Sequence, residues 1–112
     1  MNIEELVTEI TCQLEGDILY YAWMIQIARL QKPERSEIDC RNAVLDSVIK
    51  LHNGGSIVVG NAQQSDGMVH INPWQEENDA LRTRMMSEIA KYNGSDDQAF
   101  CFWVQLSEHF AR

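Results

Sequence analysis

The chain has 112 residues, 45% of them hydrophobic, with nine Lys and Arg against seventeen Asp and Glu for a formal charge of −8. That is one domain's worth of chain with apolar residues for a single core, which argues against disorder and against a two-domain build. A surface this acidic repels phosphate backbones and so excludes nucleic acid as a partner, whereas it attracts a cationic protein.

In chain order, Ile3, Leu6, Val7, Ile10 and Leu14 fall on one stripe of a 3.6-residue repeat, which predicts an amphipathic helix over residues 2 to 15. Asn2 with Glu5 three residues on has the form of a capping box. Acids stand where a secretory signal carries positive charge, and no apolar run is long enough to cross a membrane; the expectation is a cytoplasmic protein without membrane contact. Gly16 stops the first helix, and Asp17 is placed to cap a second one reaching Gln31. This second helix is apolar nearly all round, from Ile18 and Leu19 to Leu30, and is expected to be central. It ends before Pro33.

Ser36 with Asp39 opens a third helix to about Leu51, with Ile38, Leu45, Val48 and Ile49 as its buried stripe and His52 to Gly55 as its stop. SIVVGN and GMVHIN read as two strands of a hairpin turning around Gln64 to Gly67. Asn72, Pro73 and Gln75 suit the cap, first and third positions of a fourth helix. Its stripe is Leu81, Met85, Ile89 and Tyr92, closed by Asn93 and Gly94. The last segment, AFCFWVQL, fits two patterns. Ala99, Phe102, Trp103 and Leu106 have helical spacing, while Phe100, Phe102, Val104 and Leu106 would share one face of a strand. The density of aromatic and β-branched residues favours the strand, which would pair with the hairpin. The predicted fold is a single α+β domain over residues 1 to 112: three N-terminal helices, a hairpin, a further helix and a C-terminal strand completing a small antiparallel sheet.

Three cysteines, Cys12, Cys40 and Cys101, are an odd number set in apolar patterns, as expected of reduced, buried thiols. His52, His70 and His109 lack the paired spacing of a metal site, and no glycine motif for phosphate binding is present, so no metal or cofactor is expected. No nucleophile stands beside a base, which predicts a protein that is not an enzyme; the alternative is a small enzyme with a pocket near Tyr20, Tyr21 and Trp74. Arg41 and Lys50, the cations inside the third helix, are cancelled by Glu37, Asp39 and Asp46, and the hairpin turn carries Asp66 without Lys or Arg. That leaves the acids. Glu76, Glu77 and Asp79 crowd the start of the fourth helix, where they favour its dipole. Asp96 and Asp97 precede the last strand, and Asp66 tips the hairpin. Gathered at one end of the domain, these six would ring Trp74 as a binding site for a basic partner; otherwise Trp74 packs the helix start against the hairpin. Trp23 and Trp103 are expected in the core. The strictly amphipathic first helix is a candidate homodimer surface.

HNGGSIVVGNAQQSDGMVHINPW, a helix, and then FWVQLSE together resemble small bacterial winged-helix-like immunity proteins of polymorphic toxin and contact-dependent inhibition systems. The resemblance spans residues 17 to 108, rests on apolar and turn positions, and transfers no catalytic residue. It implies a winged-helix-like fold and a toxin inhibitor that neutralises a cationic toxin domain, such as a nuclease, by binding it. The alternative of the same build is a regulatory or dimerisation module.

Overall fold

The computed structural model describes residues 3–110, the side chains of Gln64 and Ser65 excepted. Asn2, the expected cap of the first helix, lies outside them. Helix α1 (Glu4–Leu14) buries Leu6, Ile10 and Leu14 completely, with Ile3 and Val7 packed beside them. The anticipated stripe is therefore internal, and α1 does not present it as a dimer surface. Cys12 is exposed rather than buried, because two residues from Ile10 is about 200° around a helix.

The second helix begins later than the sequence suggested. Leu19 and Tyr20 form a short strand, β1, paired with Val104 and Trp103. Helix α2 runs over Tyr21–Gln31. Asp17 does not cap it; its Oδ1 accepts the Ile18 backbone N–H at 2.8 Å. The cause is a strand pairing with a segment near the other end of the chain, which no local pattern contains. Nor is α2 the central helix. Trp23 is 43% exposed and Leu30 70% exposed.

Centrality belongs to α3 (Glu37–Asn53), which touches α1, α2, α4 and β2. Ser36 caps it as expected, its Oγ accepting the Asp39 N–H at 3.1 Å. Its buried side is Cys40, Val44, Val48 and Leu51, widened by Ala43, Leu45 and Ser47. Ile38 is not part of that side and is 64% exposed, since a two-residue step from Cys40 points it the opposite way.

Strands β2 (Ile57–Ser65) and β3 (Met68–Pro73) form the expected hairpin. Its turn is Asp66-Gly67 with φ of 54° and 77°, both left-handed, the geometry whose twist matches paired strands. The fourth helix starts well after Pro73. Pro73 ends β3, and Trp74 N–H continues the pairing by donating to Val59 O at 2.8 Å. Helix α4 is Asn78–Lys91, with Leu81, Met85 and Ile89 buried as anticipated and Tyr92 packed against them. A 3₁₀ turn, α5 in this numbering, covers Asp96–Phe100 and is capped by Ser95, whose Oγ accepts Asp97 N–H. The C-terminal segment is a strand, β4 (Trp103–Leu106), followed by a single helical turn, α6 (Ser107–Phe110).

The fold is α+β, with an antiparallel sheet in the order β1-β4-β2-β3. Leu19, Ile57, Val59, Val104 and Leu106 face the helices and join one core with α1, α2, α3 and α4. Strand alternation puts Tyr20 and Trp103 on the other face, where they meet Phe100 with ring centroids 4.7 to 5.9 Å apart. Trp103 is thus outside the core. No helix among the described residues is long and apolar enough to cross a membrane.

Candidate functional site

Trp74 is buried, 8% exposed, and every neighbour explains why. Its indole N–H donates to Asn61 Oδ1 at 2.8 Å, and Asn61 Nδ2 in turn donates to Glu88 Oε1 at 3.0 Å. Phe102 packs on one side with centroids 6.1 Å apart, and the Arg84 guanidinium lies 4.6 Å from the ring centre. Arg84 is held by Glu76 at 3.0 Å. The backbone N–H of Glu76 itself and then this guanidinium hold the Glu76 carboxyl below its usual range. Trp74 is therefore the clasp joining β3, β2 and α4, the structural one of its two anticipated roles. Asn61 and Glu88, which make the clasp polar-satisfied, carry no local sequence signal of that role.

The expected ring of acids does not form around it. Glu76 is engaged with Arg84. Glu77 precedes α4 without a capping bond, and Asp79 lies in its first turn. Asp96 and Asp97 belong to the 3₁₀ turn that follows the far end of that helix, and Asp96 borders the cleft beside α2 and α3. The bond from Gln98 Nε2 to Ile89 O, 2.8 Å, fixes the 3₁₀ turn there. Asp66 tips the hairpin, about 20 Å of strand from Trp74. The carboxylates occupy three separate places.

The combination sought at Trp74, a half-exposed Trp among acids, stands instead on the seam of α1 and α2. Hydrogen bonds cross this seam in antiparallel order: Gln31 Nε2 donates to Glu5 O at 3.0 Å, and Trp23 Nε1 donates to Gln13 Oε1 at 2.5 Å. Between them a shallow groove of about 210 Å³ is bordered by Glu9, Gln13, Ile27, Leu30 and Gln31. Trp23, Ile27 and Leu30 are one stripe of α2, with only Ile27 buried. Residues 3–28 contain Glu4, Glu5, Glu9, Glu15 and Asp17 and no Lys or Arg. The charge asymmetry was readable in the sequence; the exposure of Trp23 was not, because AWMI reads as core.

Tyr20, Tyr21 and Trp74 are not brought together. Tyr20 is on the outer face of the sheet, Tyr21 packs on Phe102 and borders a cleft, and Trp74 is in the clasp. Among the described residues no group of three or more His, Cys, Asp or Glu is placed to hold a metal ion. Burial pushes the Cys101 thiol up to about 12, with the Glu88 carboxylate adding to it, the opposite of what a nucleophile requires. No protein-family model, curated protein or solved structure matches the chain.

Proposed function

We propose that the chain is a non-enzymatic binding protein whose α1–α2 face takes a cationic protein domain, acting in the cytoplasm as an immunity protein that neutralises a toxin such as a nuclease. The observation that carries this reading is the pair Trp23 and Leu30, exposed on one stripe of α2 beside an α1 that bears acids and no cations. Large apolar side chains left in water beside charged residues, here the α1 acids together with Arg29 and Lys32 on either side of Leu30, are the composition of an interface centre with a charged surround. The Gln13 carboxamide holds the Trp23 indole in place before any partner arrives, which lowers the entropy lost on binding. Charge speeds encounter, and the apolar anchors set the dissociation rate; covering the toxin's basic substrate surface then blocks its activity. Asp66, Glu77, Asp79, Asp96 and Asp97 add to the long-range field from their separate positions. Three free thiols are in keeping with a reducing compartment.

The test is titration of the purified chain against the cationic effector encoded beside it, at rising salt. Affinity should fall as salt rises. Trp23→Ala and Leu30→Ala should each weaken binding by about 2 kcal/mol, roughly thirtyfold, mostly through faster dissociation. Absence of a complex, or parental affinity in the double variant, overturns the proposal.

A further inference from the structure

The opposite side of α2 borders a different feature. Between α2, the start of α3 and the 3₁₀ turn lies a cleft of about 410 Å³, a size that suits a small organic ligand. Its charged lining is Arg29 from α2, Glu37 and Arg41 from α3, and Asp96 from the 3₁₀ turn. None of the ion pairs among the described residues involves these four. Glu37 and Arg41 stand four residues apart on one helix, the spacing at which such a pair normally closes, yet they remain apart. Arg41 Nε is buried with no hydrogen-bond partner. Arg35 Nε and His52 Nδ1 share this state elsewhere, but Arg41 combines it with a place in the lining of a cleft, where a ligand could supply the acceptor.

The cleft also meets Tyr21 and Ala22 in the first turn of α2, which has neither an acid nor a capping side chain; Tyr21 N–H donates to Phe102 O at 3.1 Å, and the turn as a whole forms the positive end of the helix dipole. An anionic group therefore belongs beside Arg41 at this end. A simple anion would nonetheless meet Glu37, Asp96 and the field of a molecule at −8, while a simple cation would meet two arginines. A ligand carrying both charges meets neither objection. Ile25 and Ala99 supply an apolar wall between.

We propose that this cleft is a binding site for a free α-amino acid, its carboxylate on Arg41 and the first turn of α2, its ammonium on Glu37 and Asp96, and its side chain against Ile25 and Ala99. The site is independent of the protein-binding face, which uses Trp23 and Leu30 on the other side of α2. The test is thermal unfolding of the full chain with each proteinogenic L-amino acid in turn, at about 10 mM, a level that makes binding visible as stabilisation. At least one should raise the Tm by about 3 °C or more. For that amino acid, the amide lacking the carboxylate and the N-acetyl form lacking the ammonium should each leave the Tm unchanged. Arg41→Gln and, at the exposed rim, Asp96→Asn should each weaken its affinity at least tenfold in calorimetric titration. The proposal is overturned if no amino acid raises the Tm, if the N-acetyl form binds as well as its parent, or if Asp96→Asn binds with parental affinity.

Discussion

At the scale of single residues, Trp23 leaves the core its neighbours in sequence suggest, whereas Trp74 takes the packing role, one of the two its neighbours allow. Asn61 and Phe102, distant in the chain, enclose it. Trp74→Ala should destabilise the domain by about 3–5 kcal/mol in urea unfolding, the usual cost of emptying an aromatic core site. Asp97→Asn, exposed and in no ion pair among the described residues, should change stability by no more than about 0.5 kcal/mol. Cys101 gives a pH signature. Its thiol is raised from 9.0 to about 12 in the folded protein, so folding favours the protonated form. The stability this confers is complete below about pH 9 and is lost as pH rises towards 12, with a slope of up to about 1.4 kcal/mol per pH unit. Burial raises the Tyr21 phenol too, against the opposing Arg41 guanidinium, and acts in the same direction. Urea unfolding across alkaline pH should therefore show a steeper decline for the parent chain than for Cys101→Ala. Equal slopes would contradict this.

At the scale of elements, several features follow from local pattern alone. The stripes of α1 and α4, the Ser36 cap and the Asp66-Gly67 turn each follow from residues within one or two turns of each other. What escaped depends on partners far along the chain. Leu19 and Tyr20 leave the helix pattern because β4 pairs with them, and Pro73 becomes a strand end because Gly60 lies opposite. The proposed face is legible as charge but not as shape: five acids stand in the first part of the chain, while the exposure of Trp23 and Leu30 depends on how α2 packs. Gly60 marks the tightest contact between elements. A Cβ there would collide with the carbonyl of Asn72 on β3, a backbone atom that cannot swing aside. Gly60→Ala should cost about 3 kcal/mol in the same unfolding measurement. Gly16→Ala, with open space around it, is the matched control and should stay within about 0.5 kcal/mol.

At the scale of the molecule, α2 divides the labour. Trp23, Ile27 and Leu30 border α1, whereas Ala22, Ile25, Gln26 and Arg29 border the cleft, so the two sides of an eleven-residue helix serve separate surfaces. On the proposed reading, the excess negative charge would steer a cationic partner, and the exposed Trp23 and Leu30 would select where it settles. The sheet has its own consequence for how the molecule comes into being. Its inner strand β4 lies between β1 and β2, although it leaves the ribosome after the other three strands of the sheet. Until Leu106 has emerged, β1 has nothing to pair with, and Phe102 and Val104 are missing from the middle of the core. A nascent chain therefore leaves apolar surface open until β4 has been made, and closes its sheet in a late, long-range step.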